Sequence, residues 1–328
     1  MHPQGDHALR ENIAGYLHEF RGVHCSAEQI VIGAGTEYLL GMIVQIIGKE
    51  SVYAVENPGY RKTYQVLKSF DASVVLVGLD QEGLSVEQLK KKPASISYVT
   101  PSNHFPLGIV MPINRRLQLL KWANIKDGRY IIEDDYDSEF RFSGRPIPAL
   151  QGMDEDRVIY ISTFSKSLAP SIRVSYMVLP EKLLEKYRLG FSFYSSTVSR
   201  FEQFILLRFI EGNHFERHLN RMRNLYKGRR DTLVEQVKMR FGNLIEITGE
   251  NAGLHLLLTY HGKLTERDLV RRAAQAEVKV YGLSEYDIEP AGSLPKNTVI
   301  LGYANFDAEQ IIDAVSLLKD AWSYIKLE

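Results

Sequence analysis

Val158-Ile159-Tyr160-Ile161-Ser162-Thr163-Phe164-Ser165-Lys166-Ser167-Leu168-Ala169-Pro170-Ser171-Ile172-Arg173 is the stretch that decides how this chain folds. An apolar, β-branched run passes into hydroxyl residues, then a lysine, then an arginine seven positions further on. The run predicts a buried strand that delivers Lys166 into a crevice at its end. An ammonium is costly to desolvate and seldom buried unpaired, so a lysine there calls for a chemical reason. Condensation with an aldehyde removes the charge and makes the amine a covalent handle. Pyridoxal phosphate is the aldehyde cofactor that suits, with Thr163, Ser165 and Arg173 placed to hold its phosphate. Standing alone, the segment reads as a surface lysine at a strand–loop junction; the rest of the chain turns the balance.

Tyr130-Ile131-Ile132-Glu133-Asp134-Asp135-Tyr136-Asp137 is a second apolar strand, running into acids. Strand alternation predicts Asp134 and Tyr136 on one face. A buried carboxylate opposite a pyridine nitrogen keeps that nitrogen protonated, and a phenol beside the cofactor hydroxyl tunes it, so Asp134 and Tyr136 suit these two jobs. Four acids in five positions could equally hold magnesium. In Ile30-Val31-Ile32-Gly33-Ala34-Gly35-Thr36 a strand-like run meets a small-residue turn and then a helical pattern, an anion site by its backbone amides and the Thr36 hydroxyl. Val52 to Tyr60 is a strand closing on Pro58-Gly59 and presenting Tyr60, an aromatic able to stack on a pyridine ring or to cap the core.

Phosphate turn, stacking aromatic, acid strand and lysine strand follow one another as in the fold-type I pyridoxal-phosphate enzymes. With His2-Pro3-Gln4-Gly5, Glu56-Asn57-Pro58-Gly59-Tyr60, Ile131 to Phe140 and Thr163 to Leu168, the whole chain resembles the aminotransferase-like domain of the MocR/GabR transcription regulators. The resemblance implies Lys166 as internal aldimine, Asp134 facing the ring nitrogen, Tyr136 near the cofactor hydroxyl and Tyr60 over the ring. It implies phosphate and cofactor contacts from Gly35, Thr36, Glu37, Thr163, Ser165 and Arg173. Lys62, His104 and Glu285 are the residues it places toward an effector. Two departures bear on that effector. Phe105 stands before Pro106, where ordinary aminotransferases have an asparagine, and Lys62 and Glu285 stand where a γ-aminobutyrate-sensing relative has arginines. Lysine lacks the bidentate fork and glutamate reverses the charge, which disfavours γ-aminobutyrate and favours a short amino acid.

Seven strand-like runs, near 30–33, 52–55, 73–77, 96–100, 130–134, 158–162 and 173–179, alternate with helical stretches. They predict an α/β fold with a mostly parallel seven-stranded sheet in a large pyridoxal-phosphate-binding domain, residues 1–212. A smaller C-terminal α/β domain, 213–328, includes the linking helix, with strands expected near 254–258, 278–280 and 299–303 and a closing helix from Ala308. Phe201, Phe204, Ile205, Leu207 and Phe209 predict a buried helix. The basic run Arg217 to Arg230, with Leu219, Met222, Leu225 and Tyr226 at helical spacing, predicts an amphipathic helix rather than a DNA contact. His214 and His218 lie one turn apart, but a solvated helix face suits them better than metal, and no metal is expected. Tyr194 to Thr197 lie where related dimers exchange residues between active sites, a point resting on the resemblance alone.

The 328 residues are 45% hydrophobic, enough for two domains with real cores. Forty basic residues balance forty acidic ones, which leaves no electrostatic footprint for nucleic acid. A single cysteine, Cys25, excludes an internal disulfide framework, and no apolar run approaches the ~20 residues that span a bilayer. The expectation is a cytoplasmic protein without membrane contact. Because Met1 directly precedes a motif that is internal in the regulators, the chain is expected to be a fragment whose winged helix-turn-helix domain is absent, with DNA reached only through that domain. The first expected function is effector sensing, with a small amino acid bound as an external aldimine, within a homodimer. The alternative is a free-standing aminotransferase, and a slow half-transamination is compatible with both; a cofactor-free dimerisation module leaves Lys166, Asp134 and Arg173 without a purpose.

Overall fold

The structure, a computed structural model, describes residues 2–143, 147–290 and 294–323. The chain divides into two compact units. The first comprises Met1–His104, Ile109–Asp137 and Arg145–Leu219, and the second Phe105–Gly108, Ser138–Gly144 and Asn220–Glu328.

The first unit runs α1 (His7–Arg21), β1 (Ile30–Gly33), α2 (Thr36–Ile47), β2 (Val52–Asn57), α3 (Arg61–Ser69), β3 (Ser73–Asp80), β4 (Gly83–Leu84), α4 (Val86–Lys90), β5 (Ile96–Val99), α5 (Ile113–Asn124), β6 (Tyr130–Asp135), β7 (Val158–Thr163), α6 (Phe164–Ser167), β8 (Ser175–Val178), α7 (Glu181–Phe191) and α8 (Arg200–Glu211). Its sheet has the order β1-β8-β7-β6-β5-β2-β3-β4. β3, β2, β5, β6 and β7 pair in parallel, while β8 is antiparallel to both β7 and β1, and β4 to β3. Strands buried on both faces need apolar side chains at nearly every position, which is why Ile96–Val99 and Val158–Ser162 are buried throughout. The helices follow the 3.6-residue period. In α1, Leu9, Ile13 and Leu17 are buried four residues apart, Asp6 caps the start by accepting from Leu9 N at 3.1 Å, and Gly22 ends it at φ 62°.

In the second unit, α9 (His214–Phe241), whose first residues lie in the first unit, leads to β9 (Ile245–Thr248), β10 (His255–Tyr260), α10 (Glu266–Gln275), β11 (Tyr281–Gly282), β12 (Thr298–Gly302) and α11 (Ala308–Ser323). The sheet order is β11-β12-β10-β9, antiparallel throughout. Leu256 and Leu258 of β10 pack with Ile311, Val315, Leu318 and Trp322, one stripe of α11.

The fold is α/β, with all seven expected strands in the large sheet. An eighth, β4, is too short to carry an alternation signal. β9 had no counterpart in the sequence reading, and the segment expected at 278–280 pairs slightly later, at Tyr281–Gly282. The α8 segment is not a buried helix: Leu206 and Leu207 pack inward, but Phe201, Phe204 and Ile205 are exposed on the opposite face. In α9, Leu225 is exposed as well. The arginines there are spent on carbonyls, Arg223 Nε donating to Glu139 O at 2.7 Å and Arg230 Nη1 to Glu250 O at 2.8 Å. Among the described residues no helix is long and apolar enough to cross a membrane.

Candidate functional site

Parallel strands aim their carboxyl ends at one edge of the sheet, where α/β proteins bind ligands. At that edge of the first unit a cavity is lined by Thr36, Glu37, Leu40, Tyr60, Lys62, Thr63, Val66, Tyr98, Asp134 and Ile161. Asp134 is the penultimate residue of β6 and lies beside Ile161 of β7 in the register. Its Oδ2 accepts a hydrogen bond from the Tyr98 hydroxyl. Its Oδ1 is buried and has no hydrogen-bond partner among the described residues, a costly arrangement unless a donor arrives from the cavity. Burial pushes the Asp134 carboxyl up to about 7, against the Tyr98 hydrogen bond and with the help of the neighbouring Asp135 charge. Tyr98 stays a donor, because burial and Asp134 drive its phenol well above the ordinary value.

Asp135 takes the opposite course. Burial works against its charge, but the Arg21 guanidinium, 2.7 Å from Oδ2, and the Tyr160 hydroxyl at 2.6 Å hold its carboxyl below the usual range. Adjacent acids are thus separated by environment, one locked into the scaffold and one facing the cavity. Behind them Glu56, at the end region of β2, accepts from Thr100 N at 3.1 Å and Thr100 Oγ1 at 2.9 Å, and burial pushes it up to about 8.

The turn before α2 brings a glycine, a guanidinium and a carboxylate together. Gly35 has φ +101°, a conformation that favours glycine. A Cβ there would fall within contact of the Arg173 guanidinium and 2.8 Å from Glu37 Oε2. Arg173 reaches this turn from a left-handed position, φ 50°, and its Nη2 donates to Glu37 Oε2 at 2.9 Å. Ala34 N, one residue earlier, donates to Thr197 Oγ1 at 3.0 Å. Gly35→Ala is expected to weaken pyridoxal phosphate binding at least tenfold, roughly 1.4 kcal/mol, in a fluorescence titration. Gly15→Ala is the matched control, since a Cβ at Gly15 meets nothing within 4 Å.

Lys166 lies differently from the sequence expectation. β7 ends at Thr163, whose side chain accepts from Ser165 N at 3.1 Å and starts the single helical turn α6. Lys166 therefore sits on that turn and is exposed rather than buried at a strand end. Thr163 Oγ1 also bonds Ser165 Oγ at 3.1 Å and accepts from Ser175 Oγ at 2.9 Å, so the hydroxyls form one cluster.

Tyr136 follows the end of β6. Its hydroxyl donates to Asn103 O at 3.0 Å and accepts from Asn103 Nδ2 at 3.2 Å, while the same amide donates to Asp137 Oδ2 at 2.8 Å. Of the expected effector residues, Lys62 lines the cavity but is paired with Glu37. His104 is not presented there: it is buried, its Nε2 3.6 Å from Glu56. Glu285 belongs to the second unit, where its Oε1 accepts from Gly282 N at 3.1 Å. Phe105, also of the second unit, packs edge-on against His255 and Tyr286. His218 Nε2 lies 3.0 Å from Ser167 O, a scaffold contact.

Tyr98 and Asn103 escaped the sequence reading. A phenol beside Ile96 and Val99 in a short buried strand is the signal that points to Tyr98. Asn103 carried none, since its partner Tyr136 comes from a different strand end.

The residues fit pyridoxal phosphate on two observations: the partnerless buried Asp134 Oδ1, suited to a protonated ring nitrogen, and the Gly35–Arg173 cradle, which a side chain would fill. The aminotransferase class I and II profile matches residues 1–298. The chain is 42% identical to the uncharacterised HTH-type transcriptional regulator YdeL of Bacillus subtilis, over 98% of this chain and 69% of that protein. It is 34% identical to the probable rhizopine catabolism regulatory protein MocR of Rhizobium meliloti, over 97% of this chain and 64% of the relative. The chain thus spans about two thirds of these relatives. Kynurenine aminotransferase of Pyrococcus horikoshii, solved with PMP, superposes with a TM-score of 0.83 at 25% identity, over 98% of this chain and 81% of that one. With this fold, this cavity and a family match over residues 1–298, the chain belongs to the class I and II aminotransferases, a pyridoxal-phosphate-dependent family, on the branch it shares with HTH-type regulators of the MocR kind.

Proposed function

We propose that this chain is the effector-sensing domain of a transcription regulator, which holds pyridoxal phosphate at Lys166 and exchanges it onto a small amino acid. The observation that carries the proposal is the buried Asp134 Oδ1, without a hydrogen-bond partner among the described residues, in the lining of a cavity that Tyr60 also lines. When bound, pyridoxal phosphate supplies an aldehyde carbon for an amine to join and a ring that withdraws electrons from it. Asp134 would hold the proton on the ring nitrogen through Oδ1, while Tyr98 fixes the carboxylate through Oδ2. Tyr60 would lie over the ring and exclude water from one face. Gly35, Thr36 and Arg173 would take the phosphate, with Thr163 and Ser165 beside them. Lys166 is exposed on its helical turn, which suits exchange with an incoming amino acid.

Sensing is favoured over turnover by the HTH-type regulators among the relatives, which this chain matches over nearly its whole length. Asn103 engages the Tyr136 hydroxyl as both donor and acceptor, which fixes the phenol in either reading. The aminotransferase likeness supports the second reading, an enzyme that moves an amino group from a small amino acid to a keto acid. Absorption titration of the loaded protein with small D- and L-amino acids, with keto acid assayed in parallel, separates them. A lasting spectral change without keto acid supports the sensor, and stoichiometric keto acid supports the enzyme. DNA contact would come from a helix-turn-helix segment of the sort named in the relatives.

A homodimer is part of the proposal. Phe201, Phe204 and Ile205 of α8 and Phe193 before it are exposed large apolar groups, a concentration more typical of an interface than of a free surface. Phe204→Glu is expected to shift the protein from dimer to monomer in light scattering at micromolar concentration, and a dimer that survives would move the interface elsewhere.

A further inference from the structure

The phosphate end of the site already holds an anion belonging to the protein. Glu37 is the second residue of α2, within the turn of amides that attracts negative charge. Its Oε2 accepts from Arg173 Nη2 at 2.9 Å, and its Oε1 accepts from Lys62 Nζ. The added-Cβ test at Gly35 meets Arg173 and the Glu37 carboxylate together, so guanidinium, carboxylate and glycine backbone converge on one small volume. Partial burial opposes the charge of Glu37, but hydrogen bonds from Lys62, from its own backbone amide and from Arg173 bring the carboxyl down to about 2. It is ionised at every pH at which the protein would be handled.

We propose that Glu37 is a built-in competitor for the cofactor phosphate. It occupies the Arg173 guanidinium in the empty site, yields it when a phosphate enters, and keeps Lys62. The inference rests on the reading of this cavity as the pyridoxal phosphate site. The Glu37 carboxylate and an entering phosphate repel each other across Arg173, so the phosphate takes Nη2 only by breaking the Glu37 bond. Lys62 lowers the cost of that exchange, because the displaced carboxylate retains a cation. The device leaves the cofactor more readily released than the cradle alone would allow. It also explains why Lys62 is not a ready cation for an effector carboxylate.

The opposite role makes the opposite prediction. If Glu37 merely aims Arg173 at the phosphate, removing its charge loosens the cofactor. Glu37→Gln, nearly isosteric, is therefore expected to tighten pyridoxal phosphate binding by on the order of 10-fold and to slow its release on dilution. Binding of pyridoxal, which lacks the phosphate, should be unchanged. Lys62→Met should weaken pyridoxal phosphate binding in the wild-type background and have little effect beside Glu37→Gln. Unchanged or weaker binding in Glu37→Gln, or an equal gain for pyridoxal, overturns the proposal. Glu37→Ala gives the same comparison if the glutamine variant proves unstable. Arg173→Ala keeps the two readings apart. If it leaves pyridoxal phosphate affinity intact, the cavity is not the phosphate site; if it weakens binding while Glu37→Gln fails to strengthen it, only the competitor role falls.

Discussion

Lys166→Ala is expected to abolish the covalent retention of pyridoxal phosphate. Wild-type protein should keep its visible absorption through desalting, and the variant should lose it. Borohydride reduction followed by peptide mapping should place the label on Lys166 in the wild type and nowhere in the variant. Loss of the covalent link should cost at least about 100-fold in apparent affinity, ~2.7 kcal/mol. Stability should hardly move. Lys166 is an exposed residue on a single helical turn whose start is fixed by Thr163 and Ser165, and such surface positions change stability by about 0.5 kcal/mol or less. A variant that melts normally yet retains colour would show that another amine holds the cofactor.

Asp134→Asn is expected to act on chemistry and on stability in opposite senses. The amide cannot hold a proton on a ring nitrogen, so the slow half-transamination compatible with both readings should slow further, by on the order of 10²-fold. Single-turnover absorption spectroscopy measures that rate. The empty protein should respond differently. Burial raises the Asp134 carboxyl from 3.8 to about 7, so the folded state binds this proton more tightly than the unfolded chain. Its contribution to stability is fully present below pH ~3.8 and is lost as pH rises through about 7. The melting temperature of the cofactor-free wild type should therefore fall relative to Asp134→Asn between about pH 4 and about pH 7, the interval that separates the unfolded and folded values of this carboxyl. Glu133, raised by burial to about 7, adds the same trend to both proteins and cancels in the difference, and so does the burial part of the rise of Glu56 to about 8; the smaller part that comes from the Asp134 charge is lost in the variant. Parallel pH profiles would mean that Asp134 is already ionised and solvated in the empty cavity.

Much of this site is legible along the chain because its parts lie at strand ends. Apolar runs such as Val158–Ile161 mark strands by composition alone, and the residue types that follow them mark the edge where ligands bind. What composition does not carry is pairing across the sheet. Tyr98 gains its meaning only from the neighbouring Asp134, and Asn103 only from Tyr136, each contact made between segments more than thirty residues apart in sequence. Short-range capping also overrides periodicity: Thr163 accepts from Ser165 N, ends β7 and carries Lys166 off the strand. In α8 the apolar residues exceed what one buried face can absorb, so Phe201 and Phe204 stay outside. His104 reads as an active-site histidine by position, whereas it is buried beside Glu56.

The second unit is stitched from three separate lengths of chain, Phe105–Gly108, Ser138–Gly144 and Asn220–Glu328. The short lengths are part of its interior organisation: Phe105 packs on His255 and Tyr286, Phe142 N donates to Asn251 O at 3.0 Å, and Gly108 lies against Gly249 so closely that a Cβ would stand 2.7 Å from its Cα. A gene cut anywhere near residue 212 would therefore deliver a C-terminal polypeptide missing pieces of its own body. Shuffling of that unit between relatives cannot proceed by exchanging one terminal block, and chimaeras built by tail-swapping should misfold unless both inner lengths travel with the tail.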